Sequence, residues 1–253
     1  MPDTVKHVGT PAESQLSLLP LLTLDCIILG FHEDQLRVLL LRWKGTQEWS
    51  LPGGPVRKDE SVDAAAHRIL KERTGLDQIF LQQFHVFGDV KRYEREEIRE
   101  KLKHVVDPEK WYERAVSIGY YALVDYSKVT PMPDAFTEEC QWWDIQEIPP
   151  LLFDHNHMID AALRALRMQL SWQPIGYNLL PDQFTMPELQ RLYEMILGRT
   201  LDPRNFQRKI LALGIVDRLE ARRKGGAHKA PYLYQFNKAR YEALLTEGNL
   251  SFS

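Results

Sequence analysis

The sequence predicts an α/β protein in two parts, and three observations predict it. Strand-like and helix-like runs alternate up to about residue 172. After the stretch SWQPIGYNLLP the order changes to two capped helices, a turn between them and a pair of strands. The charge changes with it: residues 199–240 hold 11 Lys and Arg against 3 Asp and Glu, whereas residues 1–198 hold 21 against 30. The net charge of −3 for the 253 residues is therefore the sum of an acidic part and a basic part. Taken whole it would argue against a nucleic-acid protein; taken by segment it shows the local basic surplus that nucleic-acid modules carry. With 44% hydrophobic and 26% charged residues, the chain can bury one large core or two modest ones, and a disordered chain is excluded.

The elements follow in order. Residues 1–15 are polar and read as a frayed tail. Leu24–Phe31 and Leu36–Arg42 read as strands joined by a HEDQ turn. A loop, WSLPGGPVRKDE, leads to a helix, SVDAAAHRILKERTG, which Ser61 can cap and Gly75 can end. Its apolar stripe is Val62, Ala65, Ala66, Ile69 and Leu70. Ile79–Val86 reads as a strand. The charged stretch 89–114 reads as an inserted surface helix ended near Pro108, with Glu97 and Lys101 spaced for an i,i+4 pair. Ala115–Val124 and Glu139–Ile145 read as strands, and Met158–Leu170 as a helix.

In the second part, Thr185-Met-Pro-Glu188 is a capping box opening a helix to Leu197, closed by Gly198. Asp202-Pro203 caps and starts a second helix. Ile215–Leu219 and Tyr232–Phe236 are strand-like and flank a basic, Gly-containing loop. Helix, turn, helix and hairpin is the outline of a winged helix-turn-helix. The expected boundaries are tail 1–15, sensor 16–172, linker 173–182 and winged helix 183–245.

Two cysteines, Cys26 and Cys140, are too few for a disulfide framework or a Cys-based zinc site, and both read as buried thiols. No apolar run approaches the roughly 18 residues of a membrane span. Leu16–Leu24 carries Pro20 and no basic region close before it, so no signal peptide is read and a reducing, cytoplasmic setting is expected, with no membrane partner.

The stretch from Gly54 to Leu76 carries the first chemistry. Gly54 is followed at fixed spacing by Glu60, Arg68, an aliphatic Leu70, Glu72, Gly75 and Leu76. This resembles the Nudix box, G-x5-E-x7-R-E-U-x-E-E-x-G-U. The resemblance implies a Nudix α/β/α sandwich with a mixed sheet. In such a box, three carboxylates at i, i+3 and i+4 share a helix face and bind a hard divalent cation, which polarises a pyrophosphate and activates water. Here those positions are Ile69, Glu72 and Arg73, so only Glu72 is an acid. The structural half survives: Glu60 and Arg68 as a pair, and Gly54 and Gly75 for backbone reasons. A Nudix fold without Nudix catalysis is expected, with no catalytic residue, metal or cofactor. Asp63, Glu113, Glu138 and Glu139 are the acids that could compensate.

The second chemistry lies in PRNFQRKILAL. Phe206, Ile210 and Leu213 form an apolar face. Arg204 and Arg208 fall opposite, with Asn205 and Lys209 on the flank. Arg can read guanine and Asn adenine in the major groove. Arg222, Arg223, Lys224 and Lys229 in the hairpin loop would reach phosphates or the minor groove. Double-stranded operator DNA is the expected partner.

Together the two halves resemble the Nudix-related transcriptional regulators, in which a Nudix-like domain binds a small effector and a winged helix binds operator DNA as a homodimer. Besides the box, the resemblance rests on LDCIILGF, LRVLLLRW, WSLPGG, VSIGYYALV, LLFDHNHMIDAALRALR and FTMPELQRLYEMILGRTLDPRNFQRKI. One branch of that family senses ADP-ribose and controls NAD metabolism; another senses a pentose such as L-arabinose and controls sugar utilisation. The LFDH segment and the GYNLLPDQFT junction look closest to the sugar-sensing branch, and the 89–114 stretch is longer than that family leads one to expect. The alternative function is a divergent Nudix hydrolase acting on ADP-ribose or a related nucleoside diphosphate; a third reading is an RNA- or protein-binding adaptor. His155 and His157 have metal-like H-x-H spacing without a third ligand, so a cap or packing role for Asp154 and His155 is expected. Trp142, Trp143, Tyr120 and Tyr121 are read as sheet core.

Overall fold

The computed structural model describes residues 21–76, 79–93, 96–106, 115–170, 177, 179–223 and 230–247. The first strand, β1 (Leu21–His32), turns through Glu33 and Asp34 into β2 (Gln35–Trp43). Both turn residues have positive φ, 49° and 58°, as a two-residue hairpin of the type I′ kind requires. Two short strands follow, β3 (Trp49–Ser50) and β4 (Gly53–Pro55), and then α1 (Val62–Thr74). The helix α1 begins where Ser61 accepts a hydrogen bond from the Ala64 amide and ends where Gly75 takes a left-handed φ of 74°. The strand β5 (Phe80–Phe87), a 3-10 turn at Val90–Tyr93, α2 (Glu96–Leu102), β6 (Ala115–Val124), β7 (Thr137–Asp144) and α3 (His155–Leu170) complete this part.

These strands form one seven-stranded sheet in the order β3-β2-β1-β6-β5, with β4 beside β1 and β7 beside β2. β1 and β6 run parallel and the other pairs antiparallel, so the sheet is mixed. Both faces are covered, which is why β1 and β6 read as nearly unbroken apolar runs rather than as alternating ones. Leu24, Cys26, Ile28, Ile118 and Tyr120 face Ala65, Ala66, Ile69 and Leu70 of α1. Ile27, Leu29, Tyr121 and Leu123 face the other way, with Met158, Ile159, Ala162 and Leu166 of α3. This is the α/β/α sandwich with a mixed sheet that the box implies.

The second part contains β8 (Phe184–Thr185), α4 (Met186–Leu197), α5 (Pro203–Leu213), β9 (Val216–Arg222), β10 (Tyr232–Phe236) and α6 (Lys238–Glu247). Its three-stranded sheet has the order β8-β10-β9. The capping box is complete: Thr185 accepts from the Glu188 amide and Glu188 accepts from the Thr185 amide. This is a winged helix. Its core, with Phe184, Leu189, Leu192, Tyr193, Phe206 and Ile210, is continuous with the α3 side of the sandwich through Leu179, Leu180 and Leu170. Arg167 of α3 also donates from Nε to the Ile196 carbonyl at 2.7 Å.

Several readings change. The inserted helix is shorter than expected, ending at Leu102, and it is not merely a surface feature. Ile98 and Leu102, at i and i+4, are buried against Leu152, forming a small core of their own. Glu97 and Lys101 do pair, at 3.1 Å, and Lys101 reaches Glu48 at the same distance. Pro108 lies outside the described residues. The helix α3 begins at His155, earlier than its apolar spacing suggested. β3, β4, β8 and α6 carried no periodic pattern long enough to read. Cys26 is buried in the sheet and Cys140 is half-buried.

Candidate nucleic-acid interface and sensor site

The helix α5 is positioned by its apolar face. Phe206 and Ile210 are buried, and the Phe206 ring lies 5.2 Å from that of Tyr193 on α4, edge on. With that face committed, Arg204, Asn205, Arg208 and Lys209 are all exposed. Asp202 caps the helix by accepting from the Asn205 amide at 2.9 Å, so the helix N-terminus, which carries a partial positive charge, adds to the basic side chains around it. Arg208 donates to the Asn205 side-chain oxygen at 3.0 Å, holding the two as a pair on the surface.

The hairpin residues are less free. The Arg222 guanidinium lies 3.8 Å from the centre of the Tyr232 ring and donates to the Ala230 carbonyl at 3.0 Å. Arg223 donates to both oxygens of Glu188 at 2.6 Å, tying the wing to the start of α4. This contact was invisible in the sequence, because Glu188 had already been accounted for by the capping box. Lys224 and Lys229 lie outside the described residues.

In the Nudix-type box, Arg68 and Glu60 meet at 2.7 Å, and Arg68 also donates to the Pro55 carbonyl at 3.2 Å. The hydrogen bond from Arg68, reinforced by the Arg57 amide, holds the Glu60 carboxyl at about 2, well below its ordinary value. Gly75 takes the left-handed conformation. Gly54 does not; the crowded glycine is its neighbour Gly53, where a Cβ would lie 2.2 Å from Asp25 Oδ1 and 2.7 Å from the Leu24 carbonyl.

The positions that would bind metal do different work. Ile69 is buried in the sheet core. Arg73 is buried and paired with Asp134 at 3.1 Å. Asp134 in turn accepts from the Phe136 and Thr137 amides. Glu72 lies between two guanidinium groups, 3.6 Å from Arg68 and 3.8 Å from Arg73. The acids that might compensate are committed elsewhere. Asp63 accepts from the Tyr120 hydroxyl at 2.6 Å, and Glu138 and Glu139 both pair with Arg42, at 2.5 and 2.8 Å. Glu113 lies outside the described residues. Among the described residues no group of three or more His, Cys, Asp and Glu could hold a metal ion. A hard divalent cation wants several oxygen ligands, and one carboxylate between two guanidinium groups does not fit it.

The histidines also separate. His155 is buried, and its Nδ1 accepts from the Leu51 amide at 2.9 Å; burial lowers its pKa. His157 is exposed, with its ring edge-on to Phe87. Tyr120 and Tyr121 are buried in the sheet, while Trp142 and Trp143 are half-buried. Among the described residues, no helix is long and apolar enough to cross a membrane.

A sandwich carrying the structural half of a Nudix box, joined through a shared core to a winged helix with an exposed basic face, defines a Nudix-type sensor fused to a DNA-binding module. Residues 21–164 match the NUDIX domain, and residues 176–236 match the NrtR DNA-binding winged helix domain. The ADPR responsive transcriptional repressor NtrR of Acinetobacter baylyi is 30% identical over 230 residues, covering 88% of this chain and 84% of that protein. Shewanella oneidensis NrtR is 26% identical with a TM-score of 0.68, over 87% of this chain and 96% of that one. The same protein in complex with a 27mer DNA has the same fold, at 24% identity and a TM-score of 0.67, over 87% of this chain and 95% of that one. The chain belongs to the family of Nudix-related transcriptional regulators with an NrtR-type winged helix.

Proposed function

We propose that this protein represses or activates transcription by binding operator DNA as a homodimer, and that its Nudix-type domain senses ADP-ribose. The observation that supports DNA binding is the geometry of α5. Its apolar face is locked on Tyr193, and Arg204, Asn205, Arg208 and Lys209 project together from the opposite side. Arg222, Arg223, Lys224 and Lys229 are the proposed wing contacts. Arg223 must exchange its Glu188 partner for phosphate to take part. The proposed division is sensor 16–172, linker 173–182 and winged helix 183–245.

The choice of ADP-ribose over a pentose is supported by the relative from Acinetobacter baylyi, whose name gives that effector. The LFDH segment and the following junction favour a pentose on resemblance alone. The divergent-hydrolase alternative is less well supported, because Ile69, Arg73 and the committed acids leave Glu72 alone. Control would work through the spacing of two winged helices, which can grip half-sites about one DNA turn apart in only one arrangement. An effector that binds the other arrangement better releases the operator. The test is a gel shift on the DNA upstream of the protein's own coding region. A salt-sensitive, sequence-selective shift reversed by ADP-ribose is expected. A shift that competes equally well with random DNA would refute the regulator reading. One reversed by L-arabinose and not by ADP-ribose would refute the choice of effector.

A further inference from the structure

A cavity of about 550 Å³ opens between the end of β5, the turn Val90–Tyr93 and the start of α3. That volume suits a small-molecule site. Below it lies a cluster of buried charge. Arg92 has a side chain only 2% exposed and pairs with Asp154 at 2.8 Å. It lies 3.6 Å from Asp25, which also accepts from the Ser117 hydroxyl at 2.6 Å. His155 Nε2 stands 3.6 Å from the other Asp25 oxygen. Because Nδ1 of that ring is an acceptor, its proton is on Nε2, facing the carboxylate.

Stability is a weak reason for such a cluster. Buried ions lose hydration, and well-packed apolar residues in their place are often as stable or more so. Buried charge at a cavity floor is instead a mark of a functional site. A second observation is independent of it. Phe153, which lines the cavity, has a φ of +59°, a left-handed conformation that costs an aromatic residue about 1–3 kcal/mol and that concentrates at ligand sites.

The lining indicates what would bind. Asp89 and Asp154 are balanced by Lys91 and Arg92, so the walls favour neither a strong anion nor a cation. They offer both acceptors and donors at close range, which is what vicinal hydroxyls need, since each hydroxyl donates and accepts. Phe87 and Phe153 supply apolar surface for the C–H face of a ring. We propose that this cavity seats a five-carbon sugar ring with free hydroxyls, Asp154 and Arg92 meeting the hydroxyls at the floor and His157 closing the rim. This rests on the effector reading above. The sugar chemistry has two sources, a free pentose or the terminal ribose of ADP-ribose.

The test is calorimetric titration of the full chain with ADP-ribose, D-ribose, L-arabinose and ADP, which lacks the terminal pentose. Two variants at exposed lining positions leave the buried cluster intact: Val86→Trp, to fill the cavity, and His157→Ala. Melting temperatures near that of the unchanged protein confirm their folding. ADP-ribose binding weakened about tenfold or more in both variants, with ADP binding unchanged, is the result expected if the terminal ribose is the source. The same loss for a free pentose, with ADP-ribose not binding, assigns the other source and keeps the site. Unchanged affinity in both variants overturns the site while leaving the effector reading intact. Equal losses for ADP and ADP-ribose overturn the pentose assignment, because the cavity would then hold the shared adenosine diphosphate. If neither ADP-ribose nor a pentose binds the unchanged protein, the effector reading falls and this site falls with it.

Discussion

Replacing Arg208 by Ala separates DNA recognition from folding. Arg208 is exposed on α5, and the contact the structure gives its guanidinium is the 3.0 Å hydrogen bond to Asn205 on the same helix. Its removal takes nothing from the α4–α5 core, where Phe206 and Ile210 do the packing. Surface changes of this kind alter stability by within about 0.5 kcal/mol. On DNA the loss is larger. A guanidinium reading a base edge contributes about 1–3 kcal/mol at each half-site, and at about 1.4 kcal/mol per factor of ten that is roughly 5- to 150-fold in affinity. If Arg208 instead meets a phosphate, affinity falls evenly across sequences and the slope of log K against log salt shrinks by about 0.9 per contact. Fluorescence anisotropy on a labelled operator fragment at several salt concentrations distinguishes the two cases, with a thermal melt beside it. Unchanged affinity and unchanged salt slope in a folded Arg208→Ala protein would refute the assignment of α5 as the reading helix.

Three further outcomes follow from the same contacts. Phe206→Ala removes the ring that holds α5 on Tyr193 and should lower stability by about 3–5 kcal/mol, read by urea unfolding; a loss under about 1 kcal/mol would mean α5 is held by other contacts. Arg73→Glu restores an acid to the box position but sets it against Asp134 and Glu72, so it should destabilise by about 3–5 kcal/mol; a variant as stable as the original would show that the Arg73–Asp134 pair holds nothing in place. Glu60→Gln tests the brace of the box through pH. The folded carboxyl sits at about 2, below its ordinary 4.5, so its contribution is fully present above about 4.5 and is lost as pH falls toward 2. The stability gap between the two proteins should therefore narrow across that interval in acid-unfolding curves, and a constant gap would count against the Glu60–Arg68 pair as its source.

How far the fold was legible depended on how local each signal was. The capping box at Thr185 and the caps at Ser61 and Asp202 each act across three residues, and all three helices start where those residues place them. The turn at Glu33-Asp34 is equally local. Helix α2 shows the limit: its charge dominated the reading, and Ile98 and Leu102 showed their purpose only once Leu152, some fifty positions away, was found against them. α6 carries no strong amphipathic stripe, and β8 has only two residues, too few for a period to show. In the box, the spacing marked which acids were missing, but not that Glu138 and Glu139 were taken by Arg42 or that the tight glycine is Gly53.

The sequence by itself determined the two-part architecture, the loss of the box carboxylates and the basic face of the second helix. Each is written in residue identity at short spacing, where helix and strand periods translate directly into faces. Only the tertiary structure decided which charges are available. It pairs Arg223 with Glu188 across 35 positions, and Arg92 with Asp25 and Asp154 beneath a cavity no motif announces. The reason is physical: a cap or a stripe is complete within one turn of chain, whereas the partner of a buried charge is whatever the packed fold brings within a few ångströms of it.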